Sequence, residues 1–276
     1  MKITPLEGNR HALDGGAMFG HVPKAVWTKF YLPDENNRIE LASRALLIED
    51  DKGDLFLFDG TIGTILPPKE KEHYGVVGEE NQLLASLKKQ GVEPHEIKGV
   101  ILSHLHFDHV GGIFSRINGK LSPLFPKADH FVTRTHFERA CKPRIRERAS
   151  FLEEVPSVLK ESGKLKLLES GDPLPFPAEW YLAEGHTVGL MVILLYAPHL
   201  VALTTDLIPG IPWAHLPITM GYDRYPEKTV EEKEALLERV VKENGSLFLT
   251  HDPLFPFATI KKSDRFTAVG GFGPSL

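Results

Sequence analysis

The stretch that decides the fold of this chain reads His104-Leu105-His106-Phe107-Asp108-His109-Val110-Gly111-Gly112. It places three imidazoles and one carboxylate within six residues, and these groups are the usual ligands of zinc and similar divalent ions. Side chains two apart in an extended segment point the same way, so His104 and His106 face one site. Asp108 and His109 lie beyond the strand end, where a loop ending in two glycines can turn tightly and aim them at a second ion. The motif therefore predicts two adjacent halves of a metal centre.

The residues before this motif support that interpretation. Residues 99–102 form a short apolar run, which is typical of a strand buried on both faces. The candidate ligands therefore leave the carboxyl end of an internal strand, where open α/β sheets present their chemistry. A polar loop that is merely rich in histidine is the alternative, and the buried strand before the motif and the two glycines after it count against that.

Three further candidate ligands lie at predicted strand ends in the second half of the chain. His186 precedes the apolar run 190–195, Asp206 follows the run 200–205, and His251 follows the run 247–250. One such residue alone is more often a cap or a hydrogen-bonded polar group, but repetition at three strand ends favours ligands. With the motif they make five histidines and two aspartates, which suffice for two ions when one carboxylate bridges.

The order and spacing of these residues resemble the metallo-β-lactamase superfamily of metal-dependent hydrolases. The resemblance runs from about residue 45 to about residue 252 and rests on the His-x-His-x-Asp-His motif with its downstream partners. It implies two divalent ions, with zinc expected first and iron, manganese or cobalt compatible with the same ligand types. The implied ligands are His104, His106 and His186 for one ion, Asp108, His109 and His251 for the other, and Asp206 as the bridge.

Asp59, in Leu57-Phe58-Asp59-Gly60-Thr61, matches a carboxylate that this superfamily often uses to support a metal ligand from behind. Such support fixes the ring orientation of a ligating histidine. A plain turn aspartate before glycine is the alternative interpretation, and the residues alone do not separate the two.

The apolar runs predict an α/β fold in a single domain, residues 1–276, made of two αβ halves. The first half has strand-like runs at 45–48, 54–58, 99–102 and 130–133 and a helix near 79–90, and the second has strands near 190–195, 200–204 and 247–250. A helix near 230–243 is predicted to open with a Thr229-x-x-Glu232 capping box and to end at Asn244-Gly245. The resemblance adds the layer order, a four-layer αββα sandwich with the metal site at the sheet edge between the halves.

Composition excludes several classes of protein. The net charge of −5 argues against a nucleic-acid partner, which normally meets a basic face. Cys141 is the only cysteine, so no intrachain disulfide is possible. The first residues lack the apolar core of a signal peptide and no later run approaches a membrane span. We expect a cytoplasmic enzyme whose partner is a small-molecule substrate, with no membrane partner, and a homodimer stays open.

Three segments outside this plan are placed to shape substrate access. Residues 135–163 are a mixed-charge helical stretch that forms either a lid or a solvated face. Residues 209–226 are rich in proline and aromatic groups and predict a stiff loop beside Asp206, with a packed surface loop as the alternative. In that loop Trp213, His215 and Tyr222 are the candidate substrate-binding residues. The N-terminal 40 residues either cover the mouth of the site or form a subunit interface.

The implied chemistry is hydrolysis by a hydroxide that two divalent ions share. Asp108 is the candidate to relay a proton to the leaving group. Tyr222 is the candidate donor to the developing oxyanion, because it resembles a tyrosine found downstream of the bridging aspartate in some N-acyl homoserine lactonases. Asp206 is unlike the cysteine or serine that true β-lactamases usually carry there, and His106 stands where flavodiiron oxidoreductases carry glutamate.

We therefore expect a lactonase, or a related carboxylic-ester hydrolase, of the N-acyl homoserine lactonase type. A phosphotriesterase or phosphodiesterase with the same centre is the first alternative. A non-hydrolytic member is the second, as a di-iron redox protein or a scaffold without turnover. Aryl phosphate turnover above lactone turnover would favour the first, and two redox-active irons with oxygen consumption would favour the second.

Overall fold

The computed structural model describes residues 1–262 and 266–270, which form sixteen strands and eight α-helices. The strands are β1 (Lys2–Glu7), β2 (His11–Asp14), β3 (Arg38–Leu41), β4 (Arg44–Glu49), β5 (Leu55–Phe58), β6 (Ile97–Ile101), β7 (Phe114–Ile117), β8 (Lys120–Pro123), β9 (Asp129–Thr133), β10 (Leu165–Leu168), β11 (Glu179–Ala183), β12 (Leu190–Tyr196), β13 (Leu200–Leu203), β14 (Ser246–Phe248), β15 (Phe257–Lys262) and β16 (Phe266–Gly270). The helices are α1 (Gly15–Phe19), α2 (Lys24–Trp27), α3 (Pro68–His73), α4 (Gln82–Lys89), α5 (Phe107–Val110), α6 (Arg134–Cys141), α7 (Val155–Glu161) and α8 (Pro226–Lys242).

Two six-stranded sheets form the centre of the molecule. The first has the order β1-β4-β5-β6-β9-β10 and the second β11-β12-β13-β14-β15-β16, while β2-β3 and β7-β8 form separate pairs. In the first sheet β6 runs parallel to both β5 and β9. In the second, β13 runs parallel to β14. Most of the predicted ligands come directly after the carboxyl ends of strands in these parallel pairs.

The buried apolar residues form three cores, one between the two sheets and one on the outer face of each sheet. Between the sheets lies a core with Phe58 and Ile101 from the first and Met191 and Leu203 from the second. A second core covers the outer face of the first sheet with α4, α6 and α7, and a third packs α8 on the outer face of the second sheet. The predicted four-layer αββα sandwich is therefore confirmed, because each sheet buries one face on its partner and the other on helices.

Helix α8 begins earlier than the sequence predicts, and its predicted capping box is wrong. Pro226 occupies the first helical position, where its fixed φ suits the helix, so Thr229 lies inside the helix instead of capping it. The Glu232 carboxylate accepts the backbone N–H groups of Glu184 and Gly185 at 2.9 and 3.0 Å. The acidic residue read as a cap therefore anchors the loop before His186.

Helix α4 is shorter than the predicted 79–90 segment. It begins after Asn81, whose side chain accepts the backbone N–H groups of Leu83 and Leu84. Leu83 and Leu87 are buried on the first sheet, as their spacing predicts. In the described part of the chain no helix has both the length and the apolar character needed to cross a bilayer.

Candidate metal centre

The metal-binding motif occupies the end of β6 and the short helix that follows. His104 and His106 lie in the connection after Ile101, and His106 directly precedes α5, which carries Asp108 and His109. A Cβ on Gly111 would lie 2.0 Å from the carbonyl oxygen of Ile62, and one on Gly112 would lie 2.2 Å from that of Gly60. Gly111 has an ordinary helical φ of −58°. The glycines therefore permit close backbone packing behind the site, and the expected tight turn is wrong at Gly111.

Four predicted ligands converge on a first position. The ligand atoms of His104, His106, His186 and Asp206 all lie within 4.8 Å of one another. His186 Nε2 is 3.1 Å from Asp206 Oδ2, and His104 Nε2 is 3.7 Å from the same oxygen. All four residues are buried.

The remaining predicted ligands surround a second position beside the first. His109 Nε2 and His251 Nε2 each lie 3.1 Å from Asp206 Oδ1. Asp108 Oδ2 lies 3.6 Å from His251 Nε2. Asp206 thus turns one oxygen to each position, which is the geometry that a bridging carboxylate requires. All seven predicted ligands come together here.

The second position also contains a histidine that the sequence did not single out. His11, in β2, is grouped with Asp108 and His251, with ligand atoms within 4.8 Å of one another. No spacing signal marked it, because His11 is an isolated histidine more than ninety positions before the motif.

Hydrogen bonds orient the rings of four ligands. The Nδ1 atoms engage the Ser103 hydroxyl (His104, 2.9 Å), Asp59 (His109, 3.0 Å), Asp223 (His186, 2.9 Å) and the Ala42 carbonyl (His251, 2.8 Å). Each Nε2 is left facing the centre, in the tautomer that a metal ligand needs. His104 Nε2 is buried and has no hydrogen-bond partner among the described residues, and His106 turns Nδ1 to within 3.3 Å of His186 Nε2. Buried polar atoms rarely stay unpaired, so this donor set fits two divalent ions.

Asp59 adopts a left-handed backbone, with φ of 58°, and is fully buried. Its carboxylate accepts the backbone N–H and the hydroxyl of Ser103, both at 2.8 Å, and the Nδ1–H of His109. A plain turn aspartate would face solvent, whereas this one links the end of β6 to a ligand ring. Its position is the one expected of a supporting carboxylate.

Two supporting residues went unrecognised in the sequence. The first is Asp223, whose carboxylate accepts the Nδ1–H of His186. The second is His136, whose Nε2 accepts the backbone N–H of Leu105 and whose Nδ1 donates to the Val188 carbonyl, both at 2.8 Å. His136 thereby ties the motif to the loop that carries His186. Neither residue has a motif of its own, so only the folded arrangement identifies them.

Electrostatics separates the imidazoles into two groups. Burial and neighbouring imidazoles lower the pKa of His104 and of His106 well below the usual value, so both rings are neutral and offer a lone pair at pH 7. Burial alone would also lower the pKa of His186, but the carboxylates of Asp206 and Asp223 outweigh it and raise that pKa to about 10. Burial would likewise lower the pKa of His109, but the carboxylates of Asp206 and Asp108 outweigh it and raise that pKa well above its usual value. Without metal, these two rings are protonated and balance the buried carboxylates.

A cavity of about 90 Å³ opens onto this centre. Its polar lining comes from ligands, namely His106, Asp108, His186, Asp206 and His251. Its other walls are mostly apolar and come from Leu13, Met18, Leu41, Tyr74, Phe107, Met220 and Tyr222, with Ala149 and Ser150. Tyr74 and Phe107 stack with ring centroids 4.4 Å apart. The cavity therefore suits a small substrate with one polar and one apolar end.

The proline-rich loop contributes differently from its predicted role. Tyr222 lines the cavity and is 40% exposed. Trp213 is 1% exposed, stacks on Phe19 and donates its indole N–H to the Met18 carbonyl, so it supports the loop from inside and does not face a ligand. His215 is also outside the cavity lining, and its carbonyl accepts a hydrogen bond from Lys233. The buried ring of Trp213 therefore packs within the protein, contrary to the expected substrate contact, and the substrate contact of His215 stays a prediction.

Both other segments reach the mouth of the cavity. In residues 135–163, Ala149 and Ser150 line it, and the ring of Phe151 meets that of His106 at 4.8 Å, nearly edge-on. In the N-terminal 40 residues, Leu13 and Met18 form part of the wall. Both segments therefore contribute to the walls of the cavity, and a lid role for residues 135–163 stays a prediction.

Comparison with known proteins agrees with this geometry. The sequence profile described as the metallo-beta-lactamase superfamily matches residues 38–251, more than half of the chain. The N-acyl homoserine lactonase AiiA of Bacillus thuringiensis subsp. kurstaki is 28% identical over 209 residues, covering 71% of this chain and 70% of that protein.

Solved structures show the same fold. A probable metal-dependent hydrolase from Staphylococcus aureus superposes with a TM-score of 0.87 at 26% identity, covering 98% of this chain and 97% of that one. AidC, a dizinc quorum-quenching lactonase in complex with a product, superposes with a TM-score of 0.76 at 21% identity, covering 98% and 94%. At that identity the second likeness concerns the fold alone. The chain belongs to the metallo-β-lactamase superfamily of hydrolases.

Proposed function

We propose that this protein is a two-metal hydrolase that opens lactone rings or cleaves related carboxylic esters. The observation that carries the proposal is Asp206, whose two oxygens face two adjacent groups of buried imidazoles. The likeness to AiiA, an N-acyl homoserine lactonase, supports the lactone as substrate. The apolar walls around a polar floor support an acylated small molecule over a highly charged one.

The residues that would hold the ions are the seven converging ligands. Zinc is the first candidate, and iron, manganese or cobalt would accept the same donors. Two divalent ions held there supply an activated water near neutral pH and polarise the scissile carbonyl. The chain itself must then place the ester, exclude bulk water and move protons.

Asp108 and Tyr222 are the proposed proton-handling and orienting residues. Both line the cavity beside Asp206 and His251. Burial, with Asp14 and Asp108 nearby, raises the pKa of Tyr222 to about 12, so its hydroxyl stays protonated at neutral pH and can donate to a substrate oxygen. Asp108 lies 3.6 Å from His251 Nε2, where its carboxylate would take a proton from the attacking water and pass it to the leaving alkoxide.

The aromatic walls would position the acyl group. Phe107 and Tyr74 present stacked rings at the cavity, and Met220 and Met18 add flexible apolar surface. A cavity this small should accept short acyl groups within its walls and leave longer ones to extend past Tyr222 toward solvent.

The test is a substrate panel on metal-quantified protein. Acyl homoserine lactones of graded chain length, simple γ-lactones, aryl esters and aryl phosphotriesters are compared by kcat/KM at one metal content. We expect lactones to exceed phosphotriesters, and His106→Ala and Asp206→Asn to lose turnover while the circular dichroism spectrum is retained. Faster turnover of phosphotriesters would replace the proposal by phosphotriesterase activity, and two irons with oxygen consumption and no hydrolysis would replace it by redox chemistry.

A further inference from the structure

His11 is placed against the second metal position by the small hairpin of β2 and β3. Its register partner is Leu41, and the next residue, Ala42, supplies the carbonyl that accepts the His251 Nδ1–H. The hairpin therefore positions His11 and orients His251 at once. The two rings meet edge-on, with centroids 5.5 Å apart and planes at 75°.

The imidazole of His11 faces candidate metal ligands and has no hydrogen-bond partner in the part of the chain that the structure describes. It is 1% exposed, and neither ring nitrogen has a hydrogen-bond partner among the described residues. Its Nε2 lies 3.7 Å from Asp108 Oδ2, which is too far for a hydrogen bond. Two atoms bound to one ion at about 2.1 Å lie roughly 3.4–3.6 Å apart at tetrahedral or trigonal angles. The observed separation is close to that of two ligands on one ion.

His130 shows what distinguishes His11 from an ordinary buried histidine. His130 is also 1% exposed and also lacks hydrogen-bond partners for both nitrogens in the described chain. It borders a surface cavity, however, and belongs to none of the ligand groups. Of these two histidines, His11 alone combines unpaired nitrogens with a carboxylate and a second imidazole whose ligand atoms lie within 4.8 Å.

We propose that His11, through Nε2, is an additional ligand of the ion held by Asp108, His109, His251 and Asp206. The two metal positions are then unequal. The first has three imidazoles and one oxygen of Asp206. The second joins two groups that share His251, namely His11 with Asp108, and His109 with the other oxygen of Asp206. The extra donor makes the second ion the more firmly held of the pair, and it attaches the N-terminal hairpin to the centre. This inference rests on the proposed pair of ions but not on the identity of the substrate.

The first test measures metal retention in matched variants. Wild type, His11→Ala, His11→Gln and the control His130→Ala are loaded with zinc, dialysed against graded chelator and assayed for zinc per chain, with circular dichroism as the fold check. We expect wild type and His130→Ala to lose the more firmly held of their two zincs at the same chelator concentration. His11→Ala should lose its more firmly held zinc at a concentration at least tenfold lower, and His11→Gln should fall between. A folded His11→Ala that retains both ions like wild type overturns the proposal.

A second test needs no variant to fold. In a crystal structure of zinc-loaded wild type, anomalous scattering locates both ions, and Nε2 of His11 within about 2.0–2.2 Å of one ion supports the proposal. An ion more than 3 Å from that atom overturns it. Neither measurement uses a substrate, so a wild type that binds two ions without His11 contradicts this inference alone, whereas a wild type that binds none contradicts the proposed function.

Discussion

The carboxylate of Asp223 holds both a candidate metal ligand and the loop beside it. Its Oδ1 accepts the Nδ1–H of His186 at 2.9 Å, and its Oδ2 accepts the backbone N–H of Met220 at 2.9 Å. Tyr222 lies between Met220 and Asp223 along the chain. One buried carboxylate therefore fixes a ligand ring and the segment that presents the proposed substrate-orienting tyrosine.

Removing this carboxylate should loosen the metal centre. We expect Asp223→Ala to lower metal affinity by about 10–100-fold, since that is the usual cost of losing an outer partner of a ligating histidine. Asp223→Asn should cost less, because the amide oxygen can still accept from Nδ1. Chelator competition on both variants measures this, and equal affinities for Asp223→Ala and wild type would show that His186 needs no orienting partner.

Tyr222→Phe should lower kcat for lactones by about 100-fold if its hydroxyl donates to the developing oxyanion, which is a typical cost for such a donor. Metal content should not change, because Tyr222 is not among the ligand groups. Tyr225→Phe is the matched control, an exposed tyrosine three positions away that does not line the cavity. Unchanged kinetics of Tyr222→Phe would remove this residue from the mechanism.

Metal binding should release protons. In the metal-free protein His186 has its pKa raised to about 10, against burial, by Asp206 and Asp223, and the pKa of His109 is raised well above 6.5 in the same way. Both rings must lose a proton to bind a metal, so we expect about one proton released from each at pH 7.5 and an affinity that rises with pH. Calorimetric titration in two buffers of different ionisation enthalpy counts these protons, and identical heats in both buffers would contradict the prediction.

The same shifts set the pH dependence of metal-free stability. Because the folded pKa of His186 exceeds the unfolded value of 6.5, its charged pairing with Asp206 and Asp223 stabilises the fold fully below pH 6.5. This contribution is lost as the pH rises through about 10. We expect the free energy of unfolding of the apoprotein to fall between these limits more steeply than that of His186→Gln, as urea titrations would measure.

Gly111→Ala should destabilise the fold because its Cβ would lie 2.0 Å from the Ile62 carbonyl oxygen, and backbone on both sides must move. Overpacking of this kind typically costs about 1–3 kcal/mol. Gly16→Ala is the control, since its Cβ would meet only the ends of two side chains, Asp14 Oδ1 at 3.0 Å and Asn37 Nδ2 at 3.9 Å. Thermal and urea unfolding compare the two, and equal stability would mean that the contact behind the metal-binding motif relaxes freely.

The fold class was predictable because its signals are local. A continuous apolar run such as residues 190–195 marks a buried strand. The spacing of the apolar residues in a helix such as α4 shows which of its faces is buried. The start of α8 was mispredicted because Thr229 and Glu232 satisfy a capping pattern that the helix does not use. A local pattern fails where a distant loop, here residues Glu184 and Gly185, competes for the same side chain.

By itself the sequence determined the resemblance to the superfamily, and through it the αββα sandwich, together with the seven candidate ligands, since each ligand is a polar residue next to an apolar run or within the His-x-His-x-Asp-His motif. Only the tertiary structure identified His11 and Asp223 as part of the centre and showed which residues line the cavity. It also showed that Trp213 is buried and does not line that cavity. The physical reason is that strand ends are encoded within a few residues, whereas the space around a metal centre is enclosed by segments far apart in the chain. Which of those segments meet is decided when the two sheets and the N-terminal hairpin pack together.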